Sequence, residues 1–374
     1  MKRRRIVIKL GSQIAIDESG QFATGRVEHL ADAIVALKRE GCDPIVVSSG
    51  AVALGMPHMD LKPGVPLKLA EFQACAALGQ AQLIENYNRI FETRKLIGAQ
   101  ILVSSEDFAH RPNYLALRET FRMLVEKGAI PIVNENDCVS VEELPSASAE
   151  RSFGDNDKLS ALVAGKLGAD LLLILTTTDG IYSDDPSLNL DATHIPEVKD
   201  FTILSQIRTG EKSAYGRGGA SSKIEAARIA SICGVTTVIA KGGDLSSILE
   251  LARNQEGILC TVIHPRKGLS DRQKWIGAHS GYQGKIVINE GARNALTHSG
   301  ASLLLPGVET VEGSFDTGAV VSLQTGDETE VARGLSSFSS KEIREYITTP
   351  KPGRSNRELI HRNDMVIFEG ASAS

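Results

Sequence analysis

The sequence predicts an α/β fold, in which an open, mostly parallel sheet is sandwiched by helices, followed by a small, mainly β domain. In residues 1–262, short apolar runs alternate with helical patterns, which is the rhythm of an α/β domain. These runs do not alternate strictly, as is typical of strands buried on both faces. In residues 275–370, short strands are instead separated by Gly, Pro and Asp turns. Residues 263–274, which are polar and contain Pro and Gly, are the predicted linker.

The individual elements follow from the same patterns. Runs rich in Val, Ile and Leu predict six strands, at 5–10, 44–48, 98–103, 130–133, 171–176 and 236–240. Apolar residues at helical spacing predict helices between them, at 25–40, 68–94, 114–127, 157–167 and 221–233. In the second domain a short helix is predicted at 291–299. A chain of 374 residues is long enough to form two such domains.

The bulk composition indicates a globular protein with no general attraction to anionic partners. Hydrophobic residues make up 42% of the chain and the net charge is −5, so neither nucleic acid nor an anionic membrane is an expected partner. No run approaches the ~20 apolar residues that span a bilayer, and the apolar stretch after the basic start is too short for a signal peptide. The five cysteines show no metal-binding spacing, which favours a reduced, cytoplasmic protein.

Four polar or glycine-bearing turns follow predicted strands, at the sheet edge where open α/β folds bind ligands. In the first turn, Lys9 lies near the end of a buried strand and Gly11 follows it. An unpaired buried ammonium is costly, so Lys9 either reaches a ligand beyond the strand or extends to solvent. In the second turn, Ser49 and Gly50 would let backbone N–H groups approach an anion, although a purely steric need for glycine also explains the turn.

The other two turns carry further candidates. The third is N-E-N-D at residues 134–137, and a hairpin or a helix cap explains only one or two of its polar groups. The fourth, residues 215–223, is a glycine-rich loop that opens onto a helix and contains Lys223, an arrangement that suits nucleotide phosphates. It matches neither the Walker A loop nor the dinucleotide fingerprint.

The segment FGDNDKLSA, residues 153–161, gathers two aspartates and an asparagine at the start of a predicted helix. Helix capping would use one of them, with Asp155 as the expected cap, and negative charge is favoured at a helix start. Capping does not explain all three residues. Asn156 and Asp157 are therefore candidates for a functional site.

Six segments, in the same order, resemble the amino acid kinase family: IVIKLGS, VVSSGAVALG, PIVNENDCVS, FGDNDKLSALVA, DGIYSDDP and GRGGASSKIEAARIA. The segments GKIVINEGARNAL and GASLLLPGV resemble a PUA domain at residues 275–370. The resemblance implies an amino acid kinase fold for residues 1–262 and an enzyme that transfers phosphate from ATP, with Mg²⁺, to the side-chain carboxylate of L-glutamate. It also implies feedback inhibition by proline, a homo-oligomer, and a glutamyl phosphate reductase as the downstream partner in proline biosynthesis.

The resemblance also implies roles for individual residues. Lys9 and Lys223 are the expected cations on the transferring phosphoryl group, and Asp157 is expected to orient them. Substrate contacts are implied at Ser49, Asn134, Asp137 and Asn156. No protein ligand to the metal is implied. Gly11 and Gly50 would donate backbone N–H groups, and the full set of implied nucleotide contacts is Lys9, Gly11, Gly50, Thr176, Thr177, Asp179, Arg217, Gly218, Gly219, Ala220, Ser221, Ser222 and Lys223.

The sequence departs from the family pattern in three places. Thr176 and Thr177 stand where relatives have Ser-Asp or Thr-Asp, so that Asp179 is displaced. Arg217 replaces a residue that is commonly small, and residues 142–155 form a longer link than usual before the G-D-N-D motif. These departures fall at the expected nucleotide contact of Thr176 and in the segment expected to cover the substrate site.

Two other functions remain open from the sequence. A sister kinase acting on N-acetylglutamate, aspartate or a nucleotide monophosphate would share the first domain, although the N-E-N-D and G-D-N-D motifs favour free glutamate. An RNA-binding or RNA-modification protein would also explain a PUA domain. However, residues 275–374 contain nine Lys and Arg against twelve Asp and Glu, whereas binding to a phosphate backbone needs a basic face.

Overall fold

The structure of the protein is a computed structural model, which describes residues 3–62, 65–104, 107–108, 110–139, 156–186, 188–199, 220–243, 245–253, 257–278, 282–349 and 357–368. The chain divides into two compact units. The first is Met1–Lys199 with Ile207–Pro265, and the second is Asp200–Gln206 with Arg266–Ser374. Within the described ranges, no helix combines the length and the apolar character needed to cross a membrane.

Among the residues that the structure describes, the first unit is built on a central sheet of eight strands. The strands of this unit are β1 (Arg4–Leu10), β2 (Cys42–Val47), β3 (Gly98–Val103), β4 (Ile130–Glu135), β5 (Leu171–Thr176), β6 (Ile181–Tyr182), β7 (His194–Ile195), β8 (Glu197–Val198), β9 (Thr236–Lys241) and β10 (Cys260–Ile263). Their order in the large sheet is β3-β4-β2-β1-β5-β9-β10-β8, and β6 pairs with β7 separately. Every neighbouring pair in the large sheet is parallel except β9 with β10. The predicted open, mostly parallel sheet is confirmed.

Helices cover both faces of this sheet. The helices of the unit are α1 (Ser12–Ala15), α2 (Thr24–Arg39), α3 (Ala51–Gly55), α4 (Leu69–Thr93), α5 (Arg111–Glu126), α6 (Asn156–Lys166), α7 (Ala220–Ile232) and α8 (Ile248–Arg253). On one face, Ile6 and Ile8 of β1 pack with Leu30 and Ile34 of α2. Val7 alternates with them along the strand and is equally buried outside that cluster, because successive side chains of a strand point to opposite faces.

Helix α4 is held close to α3 by two glycines. A Cβ added to Gly79 would lie 1.8 Å from the carbonyl oxygen of Ala51, and one added to Gly55 would lie 1.9 Å from the carbonyl oxygen of Cys75. Any larger side chain at these positions would therefore separate the two backbones. Helix α3 follows directly from the Ser49–Gly50 turn, so this contact fixes α4 against the turn.

The parallel arrangement brings the candidate residues to one edge of the sheet. In β1, Lys9 is in register with Val47 of β2 and with Ile174 of β5. The carboxyl ends of parallel strands lie at the same edge. Lys9, the turn after β2 and the end of β4 therefore face the same region.

The second unit is mainly β, as predicted. Its strands are β11 (Gly284–Ile288), β12 (Leu303–Leu304), β13 (Val308–Gly313), β14 (Val320–Gln324), β15 (Glu330–Leu335), β16 (Glu358–Ile360) and β17 (Met365–Ile367). The main sheet has the order β13-β11-β14-β15-β17, and β12 pairs with β16. Its helices are α9 (Asp271–Gly277), α10 (Glu290–Ser299) and α11 (Ser340–Thr348). Ile286, Leu323 and Ile343 lie in its apolar core.

The stretch 263–274, which the sequence suggested as a linker, contains regular structure at both ends. Strand β10 ends at Ile263, and helix α9 begins at Asp271. A capping box explains this start, because the Ser270 hydroxyl accepts from the Gln273 N–H while the Gln273 side chain reaches back to Ser270. The domain limits 1–262 and 275–370 stay predictions.

Candidate active site

Two lysines that are far apart in the sequence converge on one buried carboxylate at the carboxyl edge of the first sheet. Asp157 Oδ1 forms an ion pair with Lys9, and Asp157 Oδ2 lies 3.4 Å from the Nζ of Lys223. The Asp157 side chain is 1% exposed, and the two lysine side chains are 8% and 10% exposed. Lys9 comes from β1, Asp157 from the first turn of α6 and Lys223 from the first turn of α7. This is the arrangement that the resemblance implied.

The two lysines stabilise the negative charge of Asp157. Burial alone would raise the pKa of the Asp157 carboxyl, but attraction to Lys9 and Lys223 outweighs it and keeps the pKa below its ordinary value. Because the folded-state pKa is lowered, the pairing stabilises the fold above the ordinary carboxyl pKa. That stabilisation is lost as the pH falls through the lowered value.

Hydrogen bonds fix the position of Asp157 on its helix. The Ser222 hydroxyl donates to Asp157 Oδ2 at 2.7 Å, and the Ser160 hydroxyl donates to the Asp157 carbonyl at 2.6 Å. The carboxylate thus faces α7 and β1. Asp155, which the sequence suggested as the helix cap, lies outside the described residues.

Beside the lysine pair is a cluster of neutral polar groups. The amide nitrogen of Asn156 shares its two hydrogens among three acceptors, which are the Ser49 hydroxyl at 2.7 Å, Asn134 Oδ1 at 3.1 Å and the Ser48 carbonyl at 3.1 Å. The structure therefore brings together three of the four residues that were expected to contact the substrate. Asn156 Oδ1 is enclosed and has no hydrogen-bond donor among the described residues. An enclosed acceptor without a donor is rare in native proteins.

Asp137, the fourth expected substrate contact, lies two residues beyond β4. Burial, reinforced by the nearby charge of Glu135, raises the pKa of Asp137 to about 7. A cationic partner would stabilise the ionised form of such a carboxyl, because its attraction offsets the cost of ionising a buried group. Glu135 ends β4 and follows Asn134 in the chain, and Asp137 lies two residues later.

The two candidate glycines behave differently. Gly50 has φ 114°, and an added Cβ would lie 2.7 Å from Ile16 Cγ1, so this turn requires glycine. Among the described residues, no partner is found for the Gly50 N–H. The N–H of Gly11 donates instead to the Leu175 carbonyl at 3.2 Å. This bond extends the β1–β5 ladder, and the expected contact of Gly11 with the nucleotide stays a prediction.

The expected nucleotide contacts are distributed over several segments. Thr176 ends β5 and is buried, Thr177 follows it at the surface, and Asp179 accepts a hydrogen bond from the Tyr182 hydroxyl at 2.7 Å. Ala220, Ser221, Ser222 and Lys223 form the first turn of α7. The remaining three, Arg217, Gly218 and Gly219, lie outside the described residues. These nucleotide contacts stay predictions.

Two residues of α4 that sequence reasoning missed support the polar cluster. Gln80 Oε1 accepts from the amide nitrogen of Asn134 at 2.8 Å, and the Tyr87 hydroxyl lies 2.8 Å from the Ser48 hydroxyl. Tyr87 is fully buried against Phe22. Both residues lie in a helix with no recognisable motif around them. Their only sequence signal is that they are polar groups, seven residues apart, on the packed side of an amphipathic helix.

The fold and the site together define an α/β phosphotransferase, with a mostly parallel sheet and a fixed pair of cations at its carboxyl edge. The chain belongs to the amino acid kinase family, whose model matches residues 4–241. A second model, that of the PUA domain, matches residues 284–349.

Relatives of about the same length are similar to this chain over nearly all of it. The chain is 37% identical to "Glutamate 5-kinase" of Carboxydothermus hydrogenoformans over 98% of both chains. It is 39% identical to the protein of the same name from Dehalococcoides mccartyi, again over 98% of both. Among solved structures, carbamate kinase from Giardia lamblia matches 71% of this chain and 99% of its own, with a TM-score of 0.50 and 18% identity. That structure supports the fold alone.

Proposed function

We propose that the protein catalyses ATP-dependent phosphorylation of the side-chain carboxylate of L-glutamate to L-glutamyl 5-phosphate, the first step of proline biosynthesis. The observation that carries the proposal is the convergence of Lys9 and Lys223 on Asp157. The choice of glutamate is supported by the relatives named "Glutamate 5-kinase", which align over both domains. The sister-kinase and RNA-binding alternatives are not favoured by these relatives.

The main barrier to this reaction is electrostatic. Two anions must meet, and unit negative charges 4 Å apart repel by about 4 kcal/mol at an effective dielectric constant of about 20. Fixed cations on the transferring phosphoryl group offset this repulsion without reorganising during the reaction. Lys9 and Lys223 supply two such cations, and Asp157 holds both ammonium groups close together before the substrates bind.

The chemical step needs no general base. An oxygen of the glutamate side-chain carboxylate attacks the γ-phosphorus of ATP. The bond between that phosphorus and the β–γ bridging oxygen breaks, and ADP leaves with the electron pair. No proton moves, because the carboxylate is already ionised near neutral pH. The protein therefore acts by positioning and charge stabilisation.

The polar cluster suits the amino acid end of the substrate. The α-ammonium group of glutamate requires acceptors, which Asn156 Oδ1 and the Asp137 carboxylate provide. The α-carboxylate requires donors, which the Ser49 hydroxyl and the Gly50 N–H provide. The side-chain carboxylate then extends toward the two lysines.

Mg²⁺ is expected to accompany the nucleotide, since this ion binds mainly to substrate phosphates and water. At the site itself, the Asp157 carboxylate is already engaged by two ammonium groups and is a poor candidate for a metal ligand. Elsewhere in the described ranges, no group of three or more His, Cys, Asp or Glu residues could hold an ion. The ion would neutralise phosphate charge. The protein's own lysines and amides would stabilise the transferring group and bind the substrate.

Several expectations about partners follow from this function. Acyl phosphates hydrolyse and cyclise readily, so a glutamyl phosphate reductase is the expected consumer of the product. Proline resembles a cyclised substrate and is expected to compete with glutamate. A cytoplasmic location and a homo-oligomer are expected by analogy with the family.

If proline competes with glutamate, raising the proline concentration should raise the KM for glutamate. A KM that does not change at any proline concentration would contradict this competition.

The test of the function is an ADP-release assay with glutamate, N-acetylglutamate and aspartate offered in turn. Glutamate alone should support rapid turnover, and hydroxylamine should trap the product as a hydroxamate. A preference for another acceptor, or ADP release without hydroxamate, would contradict the proposal.

The role of Lys223 is tested by the Lys223→Ala variant. Its kcat should fall by about 10²–10³-fold, because a cation that stabilises the transferring group is lost. Lys127→Ala, which removes an exposed lysine after α5, should behave as wild type and serves as the control. If Lys223→Ala retains near-normal turnover, the assigned role is wrong.

A further inference from the structure

We propose that Gln80 is a positioning residue that sets which way the amides of Asn134 and Asn156 face, so that Asn156 presents an acceptor to the α-ammonium of the substrate. The inference rests on the proposed function, because it assigns a purpose to the polar cluster of that same site. Gln80 itself is expected to make no contact with the substrate. It acts through two amide groups in series.

A continuous chain of hydrogen bonds carries this effect. Gln80 Oε1 accepts from Asn134 Nδ2 at 2.8 Å, which leaves Asn134 Oδ1 on the opposite side. Asn134 Oδ1 then accepts from Asn156 Nδ2 at 3.1 Å. Since an amide has its acceptor and its donor on opposite sides, each bond in the chain fixes the orientation of the next amide.

The orientation of Asn156 has a further support. Its Nδ2 also donates to the Ser49 hydroxyl at 2.7 Å and to the Ser48 carbonyl at 3.1 Å. Reversing the Asn134 amide would set Nδ2 against Nδ2 at Asn156 and oxygen against oxygen at Gln80. Both contacts would then be unfavourable, so the observed orientation is the one that satisfies the whole chain.

The chain ends in an acceptor that lacks a donor. Asn156 Oδ1 is enclosed, and none of the described residues donates a hydrogen bond to it. Because enclosed polar atoms are nearly always partnered, this oxygen calls for a donor from a ligand. The ammonium group of glutamate carries three donors and no acceptor. Preorganisation of this oxygen lowers the cost of binding that group.

Helix α4 is a rigid support for Gln80. The adjacent Gly79 touches the Ala51 backbone so closely that an added Cβ would lie 1.8 Å from the Ala51 carbonyl oxygen. Seven residues further along, the Tyr87 hydroxyl lies 2.8 Å from the Ser48 hydroxyl. The helix therefore contacts the polar cluster through Gln80. It also contacts Ser48, which precedes the Ser49–Gly50 turn, through Tyr87. A residue on such a fixed element can define an orientation, whereas a mobile side chain cannot.

The test compares Gln80→Leu, which removes the acceptor, with Gln80→Glu, which retains an oxygen facing Asn134 Nδ2. Steady-state kcat and the KM values for glutamate and for ATP are measured for each variant and for wild type. Gln80→Leu should raise the KM for glutamate by about tenfold or more, since the loss of a well-placed hydrogen bond to a charged group has this size. Gln80→Glu should restore the KM to within about threefold of wild type. The KM for ATP should change little in either variant.

Gln82→Leu is the matched control, because it makes the same change two residues away, where the side chain contacts His58. Gln80→Met takes the place of Gln80→Leu if the leucine variant does not fold. An unchanged glutamate KM in Gln80→Leu, an equal rise in both KM values, or a rise in Gln80→Glu as large as in Gln80→Leu would overturn the inference. Wild-type activity separates the two proposals. If the wild type does not phosphorylate glutamate, the proposed function itself fails.

Discussion

Replacing Asp157 by asparagine tests the electrostatic design of the site most sharply. The substitution keeps the shape of the side chain and its ability to accept from the Ser222 hydroxyl. It removes the negative charge that pairs with both Lys9 and Lys223. Two nearly buried ammonium groups would then face each other with a neutral group between them.

The size of the effect follows from the geometry. At the observed 3.4 Å between Lys223 Nζ and Asp157 Oδ2, unit charges attract by about 5 kcal/mol at an effective dielectric constant of about 20. Part of this is offset by desolvation, and breaking a buried pair typically lowers the free energy of unfolding by about 3–5 kcal/mol. The kcat should fall by about 10²–10³-fold, because both lysines lose the group that positions them.

Hydroxamate formation measures the turnover of Asp157→Asn, and urea unfolding measures its stability. Asp170→Asn is the matched control, because it makes the same chemical change at the opposite end of β5, where the carboxylate accepts from the Arg5 N–H at 2.8 Å. A double variant with Lys223→Ala adds a second test. If Asp157 acts through the lysines, adding Asp157→Asn to Lys223→Ala should lower kcat by much less than it does in wild type.

Two outcomes would refute this reasoning. One is a kcat of Asp157→Asn within about fivefold of wild type, since the expected loss is about 10²-fold or more. The other is full additivity in the double variant, which would mean that Asp157 acts independently of Lys223.

Two further predictions concern pH and the Gly50 turn. With the pKa of Asp137 raised to about 7, the carboxyl is neutral at lower pH and loses its attraction for ammonium. The KM for glutamate at saturating ATP should therefore rise about tenfold from about pH 8 to about pH 6, and Asp137→Asn should flatten this profile. Gly50→Ala should lower the free energy of unfolding by about 1–3 kcal/mol in urea titration, because φ is 114° and the new Cβ would clash with Ile16. Gly20→Ala, at φ 79° with open space around it, should cost only about 1 kcal/mol.

The sequence predicts the first unit well where strands are buried on both faces. The bounds of β3 and β5 match the predicted 98–103 and 171–176, and the other four predicted strands differ by one or two residues at one or both ends. Continuous runs of Val, Ile and Leu are typical of strands that are buried on both faces. The strand β10 was missed, because Cys260–Ile263 is short and pairs antiparallel with β9 at the far side of the sheet.

The site is predictable only as far as its residues lie in motifs. Lys9, Asp157 and Lys223 meet as the family resemblance implies, although 148 and 66 positions separate them in the chain. The sequence does not reveal that the Gly11 N–H extends the β1–β5 ladder. Gln80 was missed for a similar reason. Its partner Asn134 is 54 residues away, and only the tertiary fold brings the two amides together.

The most direct test of the central claim follows oxygen atoms. Glutamate labelled with oxygen-18 in its side-chain carboxylate is incubated with ATP and the enzyme, and the phosphate released when the product cyclises is examined by mass spectrometry. If the substrate carboxylate attacks the γ-phosphorus, each released phosphate carries one labelled oxygen. Phosphate without the label would show that ATP is consumed by another route and would contradict the account.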